Sequence, residues 1–428
     1  MRRIIISIFA FMLAGCSASM MTRLDNVQAG YAAGDYSVAR EFSADRDISS
    51  QNNLEVLITA DAAFHTNDFA TSDAAYEEFN RRHIDLTGGD IGREIGALLG
   101  GNMSNDYRPY MMDALFVSYY QLWNTLALGN TDDARVVINQ SYARQQQMSR
   151  EYDKLVQETQ KSITTNPTLA DKINSENSQW LAFRNIMNPG LMYLSGIYFL
   201  NMGDFNNAKT YLARTNGMTG GAKPVADDLA AARRGTTPKN TVWVFIEDGF
   251  APRLYENRID MPFMTDNGMT VISLALAQPV FWNNTTAIDG ATQIADVDAL
   301  FMTEFTQYSV NAALRAFTAA TSRAMLQSAM YNSNSDAAPL LGLISTVYSV
   351  STTDAEVRTW PTLPSKISVL RTKNNHSGHL DIKSGGNVIA HAEIPKNGNC
   401  LVYVRIFGDN PDTKVIQIKQ TNNQRTKQ

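Results

Sequence analysis

One turn pattern recurs along the first half of this chain and fixes what that half can become. Gly34-Asp35-Tyr36 is followed by Ala39, Gly129-Asn130 by Ala134, and Gly203-Asp204-Phe205 by Ala208. Each time a small residue stands five positions after the glycine. Asn67-Asp68-Phe69 with Ser72 is a looser copy. Glycine ends a helix readily because it has no side chain to oppose a positive φ. Asp or Asn then caps the free N–H groups of the next helix. The aromatic ring packs across the pair, and the small residue lets the helices approach. The pattern predicts antiparallel helix pairs. Leu191, Leu194, Ile197 and Tyr198 fall at helical spacing before the last copy, and Gly196 offers a second close-approach point.

Ala39 and Ser72 lie 33 residues apart, against a tetratricopeptide period of about 34. Later spacings, 62 and 74 residues, are irregular. Tetratricopeptide-like pairs over residues 16–219 are preferred here to a plain helical bundle. Within them, Gly92, Gly96 and Gly100 form a GxxxGxxxG series too short to span a membrane, which reads as close packing or a mobile loop. Asp132 to Lys161 reads as a polar helix with a solvated charged face.

Residues 220–240 hold Gly220-Gly221, Pro224, Arg233-Arg234-Gly235 and Pro238, and read as a linker. The period then changes. Thr241 to Ile246 is an apolar, β-branched and aromatic run that reads as a buried strand, with Val271 to Ala277 as its neighbour. Asp298 to Tyr331 reads as one long helix, so residues 241–354 form a mixed α/β region. Residues 355–420 carry five short alternating runs. Ser384-Gly385-Gly386-Asn387 and Lys396-Asn397-Gly398-Asn399 stand between them as hairpin turns. They predict a small all-β, sandwich-like module. Residues 421–428 are a polar, disordered tail. The expected class is multidomain α+β.

The amino terminus supplies an address. Arg2 and Arg3 precede an apolar run from Ile4 to Leu13, too short to cross a bilayer. Leu13-Ala14-Gly15-Cys16 follows and looks like a bacterial lipobox, with residues 1–15 as the signal peptide and Cys16 acylated. One acyl chain binds membrane marginally and two or more bind stably; a mature lipoprotein carries three. Ser17, rather than Asp, implies the outer membrane by the sorting rule of such lipoproteins. With Cys16 lipidated, Cys400 is the remaining cysteine, and no internal disulfide can form. Loss of residues 1–15 removes Arg2 and Arg3 and no acid, moving the net charge from −5 to −7. A nucleic-acid partner needs a basic face and is not expected.

Few residues point to chemistry. Glu247-Asp248-Gly249 closes the predicted buried strand, where α/β enzymes place acids or metal ligands. A polar turn paired on the surface with Arg253, Glu256 and Arg258 is the preferred reading. His376, His379 and His391 with Cys400 are the only metal-like set, and strand alternation turns residues three apart to opposite faces. No hydrolase elbow, zinc-protease helix or nucleotide loop occurs. No cofactor or metal is expected. Arg358-Thr359-Trp360-Pro361-Thr362-Leu363-Pro364 reads as a docking junction, with Trp360 as a plug and Arg358 able to clamp Glu247 or Asp248.

Four stretches together resemble a family of bacterial tetratricopeptide lipoproteins: Ala134-Arg135, Asn188 to Gly196, Ile246 to Pro252, and Arg358 to Pro364. The resemblance implies an outer-membrane lipoprotein facing the periplasm; no catalytic residues are established for such proteins, so none carry over. Members often neighbour the gene of a lipoprotein that activates penicillin-binding proteins, which implies cell-envelope or peptidoglycan synthesis. The expected function is a non-catalytic adaptor binding a periplasmic protein on a concave repeat surface. The rivals are an envelope hydrolase using Glu247 and Asp248, and a homo-oligomeric secretion or assembly component.

Overall fold

The structure, a computed structural model, describes residues 15–84, 107–165, 187–331, 355–407 and 410–417. Cys16 is the second residue of the first helix, while Leu13, Ala14, the Gly92-Gly96-Gly100 series and the 421–428 tail lie outside the described residues.

The fold is α+β. Helices α1 (Gly15–Ala33), α2 (Val38–Phe42), α3 (Asn53–His65), α4 (Phe69–Ile84), α5 (Met111–Ala127), α6 (Thr131–Thr165), α7 (Pro189–Asn201), α8 (Phe205–Met218) and α9 (Lys223–Arg233) come first. The recurring turns do what their residues require. Gly34, Gly129 and Gly203 have φ of 76°, 76° and 73°, and Asn67 has 63°. The N–H of the next residue closes each turn onto a carbonyl five residues back: Asp35 on Gly30, Asp68 on Ala63, Asn130 on Thr125 and Asp204 on Phe199. That bond defines a helix-ending Schellman turn. Ala39, Ser72, Ala134 and Ala208 are all buried. The turns thus join α3 to α4, α5 to α6 and α7 to α8 as helical hairpins. A methyl group added at Gly196 would meet Leu212 at 2.7 Å, so α7 and α8 touch there because the residue is glycine.

Strands β1 (Thr241–Asp248), β2 (Arg253–Thr265), β3 (Gly268–Val280) and β4 (Thr292–Asp296) precede helix α10 (Val297–Tyr331); β5 (Lys366–Lys373), β6 (His379–Ser384), β7 (Asn387–Glu393), β8 (Cys400–Phe407) and β9 (Asn410–Gln417) follow it. One five-stranded sheet runs β4-β5-β1-β8-β9. Strand β1, buried at all eight positions, lies at its centre, antiparallel to β5 and parallel to β8. Residues of one parity face the helices. Trp243, Phe245, Leu401 and Tyr403 join Trp123, Tyr120 and Tyr193 in the main core. Residues of the other parity, Val242, Val244, Ile246, Val402 and Val404, pack on Ile382, Ala390 and Ala392 of the β6–β7 hairpin.

Four expectations change. The stretch Val271 to Ala277 is not a neighbour of β1; it belongs to β3, which pairs with β2 in a separate long hairpin. The 220–240 linker is largely helix α9. Its glycines Gly220 and Gly221, at positive φ, end α8, and Pro224 sits in the first turn of α9, so residues that resemble linker punctuation are helix boundaries. The strands of 355–420 do not close on themselves as a sandwich. Strands β5 and β8 flank β1, and only the β6–β7 hairpin stands apart. Lys396 to Asn399 is therefore a crossover, since β7 pairs with β6 and β8 with β1. The Ser384–Asn387 turn does join β6 to β7.

Candidate functional site

The helical hairpins turn their inner side to the sheet. The first helices α3, α5 and α7 are buried along most of their length, and Phe64, Trp123 and Tyr193 pack on Tyr403 and Phe245. The surface that an adaptor of this kind would offer to a partner is taken up by the chain's own strands.

A different concavity remains, at the turn ends of the hairpins. Among the described residues, strand β9 is the last strand of the sheet, with no strand paired on its outer side. Antiparallel pairing with β8 uses half of its backbone groups and turns the other half to the open edge. Beside it lies a groove of about 450 Å³, lined by Asn67, Phe69, Leu126, Leu128, Met202 and residues 413–416. Turns of all three hairpins thus meet one strand edge. Leu128 is 43% exposed. The size lies within the range of sites that hold small molecules or peptide side chains, about 300–1,000 Å³.

Charged groups hold β9 in place beneath the groove. The Lys414 ammonium donates to the His65 carbonyl and the Asn67 side chain, both at 3.0 Å, and pairs with Asp412 at 2.9 Å. Asp412 meets His65 Nδ1 at 2.8 Å. Burial raises the Asp412 carboxyl, but the bond and charge of His65 and the charge of Lys414 outweigh it and leave the value lowered. Burial lowers the Lys414 ammonium, opposed by Asp412. The far side of the His65 ring lies 3.6 Å from Asp61, whose carboxyl burial pushes up.

Glu247 sits deeper in the same interior. Its carboxylate accepts from the Tyr120 hydroxyl at 2.8 Å and the Tyr403 hydroxyl at 2.9 Å. Arg405 stands 3.8 Å away, fully buried, donating to the Thr362 carbonyl at 3.0 Å and stacking over Phe407. Burial pushes Glu247 up to about 7 against the pull of Arg405 and both tyrosines. Asp248, the next residue on the strand, points to the other face. There it accepts from the Thr286 N–H and pairs with Lys366 at 3.3 Å. The two carboxylates therefore do not converge. Nor is Glu247 in a surface turn: its partners are tyrosines and an arginine in the core, while Arg258 pairs with Glu256 at the surface.

Arg358 clamps Glu356, two residues before it, through its backbone N–H and its guanidinium, rather than Glu247 or Asp248. Trp360 is 2% exposed and packs its ring on Tyr76 and Tyr120, the plug position its sequence context suggested. His391 pairs with Asp381, His376 contacts the Lys396 carbonyl, and Cys400 is buried in β8 with its thiol pushed up to about 11. Among the described residues no three His, Cys, Asp or Glu side chains are placed to hold a metal ion. No described helix is long and apolar enough to cross a membrane.

Sequence reasoning missed Asp61, His65, Arg405, Asp412 and Lys414. Two signals were present. Asp61 and His65 stand one helical turn apart within an apolar helix, and Arg405 interrupts the apolar run Leu401 to Ile406. The groove had none, because it joins turns more than sixty residues apart. Comparison with protein-family profiles, with curated proteins and with solved structures finds no match for this chain.

Proposed function

We propose that this protein is a lipid-tethered, non-catalytic adaptor of the bacterial cell envelope, held through Cys16 at the periplasmic face of the outer membrane. In this reading it captures an extended segment of a partner protein along β9. The observation that carries it is the groove: an open strand edge beside apolar side chains. Added strands bind through main-chain hydrogen bonds and are selected through side-chain pockets. Leu126, Leu128 and Met202 would receive the apolar side chains of the guest. The tether raises the effective concentration of the groove for partners near one leaflet. Placement in envelope or peptidoglycan synthesis rests on the family resemblance alone. The hydrolase reading loses its basis as a pair mechanism, because Glu247 and Asp248 occupy opposite faces of β1.

Selection from a random peptide display library, with purified protein, tests the groove. Enriched peptides should alternate apolar and polar residues and lose binding roughly tenfold or more on Leu128→Asp, a loss of about 1.4 kcal/mol, with the fold unchanged. Peptides that bind the variant equally well would remove the groove from the account. The tether is tested separately: Cys16→Ala should leave the melting temperature unchanged and move the protein out of the membrane fraction.

A further inference from the structure

The imidazole of His65 lies where α1, α3, β8 and β9 meet. His65 is the last residue of α3. The Tyr36 ring, from the turn between α1 and α2, stacks on it at 5.1 Å. Tyr31 of α1 and Phe407 of β8 stand edge-on to it at 5.8 Å and 5.2 Å. Strand β9 reaches the residue twice: Asp412 meets Nδ1 at 2.8 Å, and Lys414 donates to the His65 carbonyl at 3.0 Å. Asp61, one turn earlier on α3, faces Nε2 at 3.6 Å. Both the imidazole and the Asp61 carboxylate are buried, so water screens neither.

A neutral imidazole carries one N–H and one lone pair. With the N–H turned to Asp412, the lone pair faces the Asp61 carboxylate, and two electron-rich groups oppose each other in a dry interior. One further proton between Nε2 and Asp61 removes the conflict, whether the ring or the carboxyl carries it. The two groups therefore titrate as a pair. The C-terminal end of a helix favours the imidazolium form. Burial pushes the Asp61 carboxyl up, against the His65 charge, the Thr362 hydroxyl and the Arg405 charge.

The neighbouring groups do not take over this role. Asp412 and Lys414 pair with one another at 2.9 Å. Burial pushes the phenols of Tyr31, Tyr36, Tyr76, Tyr120 and Tyr403 further up, so they keep their protons near neutrality. Arg405 stands beside Glu247 on the far side of Asp61. Glu247, pushed up to about 7, is bound to Tyr120 and Tyr403 rather than to the imidazole.

We propose that Asp61 and His65 form a proton-operated latch that fastens β9 to the end of α3. With the shared proton in place, the ring pairs with carboxylates on both sides, and Asp412 and Lys414 hold the strand to the α3–α4 turn. When the proton leaves, a buried carboxylate is left against a lone pair, and the junction loosens. The folded protein holds this proton more tightly than the unfolded chain does. The latch is therefore fully closed at low pH and opens as pH rises through the folded value. Only one consequence rests on the proposed function: a guest strand on β9 is held less firmly at high pH.

Hydrogen–deuterium exchange of the full chain at pH 6 and pH 8, without any peptide, tests the latch. Each rate is divided by the intrinsic amide rate at that pH. Strand β5, on the other side of β1, is the reference for global stability. Protection of residues 413–416 relative to β5 should fall roughly tenfold from pH 6 to pH 8, the effect of one unit of difference in proton affinity. Asp61→Asn puts an amide donor opposite Nε2 and should hold β9 equally at both pH values. His65→Gln has no proton to lose in this range; it should protect β9 weakly at both, and it carries the test if Asp61→Asn does not fold. A wild-type ratio that is the same at pH 6 and pH 8, or a fall that persists in the folded variant, overturns the proposal. Because no guest is present, a groove that binds nothing leaves these outcomes unchanged.

Discussion

Glu247 shows how one residue carries the tension between helices and sheet. It is a fully buried carboxyl held by two tyrosine hydroxyls from opposite layers. With its value pushed up to about 7 from an ordinary 4.5, the folded protein holds this proton more tightly than the unfolded chain does. Stability from this group is therefore full below the ordinary value and falls as pH rises through the folded one. Glu247→Gln removes that dependence while keeping an acceptor for both hydroxyls. Urea unfolding at pH 5 and pH 8 should show the wild type losing more stability than the variant, by up to about 3 kcal/mol. Equal losses would mean that Glu247 is not held protonated by burial. At this scale the sequence was partly legible. A carboxyl ending an apolar β-branched run announces a buried acid, but its partners lie 127 and 156 residues away in the chain, and no local pattern names them.

At the scale of elements, α9 is the clearest case. Its sequence reads as a linker because glycines and prolines flank it, yet those residues mark helix ends. What fixes the helix is Asp228, fully buried and accepting from Tyr193 and Trp243 at 2.7 Å and from Arg371 at 2.8 Å. Burial raises this carboxyl, opposed first by the Arg371 charge. Asp228→Ala should destabilise the protein by about 3 kcal/mol or more, since it leaves a largely buried arginine and two buried donors without their acceptor. Denaturant unfolding followed by tryptophan emission reads both the loss and the changed surroundings of Trp243. A variant as stable as wild type would show that α9 is held by its apolar face alone. The helical hairpins were legible for the opposite reason. Gly129, Gly203 and Asn67 each supply the positive φ that ends a helix, and that requirement is local. Strand partners were not, because β1 pairs with β5 and β8, more than a hundred residues later.

The whole molecule follows from that distant pairing. Because β1 lies between β5 and β8, the sheet on which the helices rest exists only when the C-terminal strands have joined it. A chain ending at residue 354 lacks both neighbours of β1 and leaves Trp243 and Phe245 without a layer. It should be insoluble or lack a cooperative thermal transition, and a cooperatively folded product would show that the segments are independent. The same arrangement spends the inner faces of the helices on the sheet, and the proposed function therefore places recognition at the edge of β9. Hydrogen–deuterium exchange of the full chain, with and without a display-selected peptide, reads the occupancy of that edge. Exchange should slow in residues 413–416 and in the turns at Asn67 and Gly129, with the β2–β3 hairpin unchanged. Protection confined to any other surface, or none at a saturating peptide concentration, would contradict it.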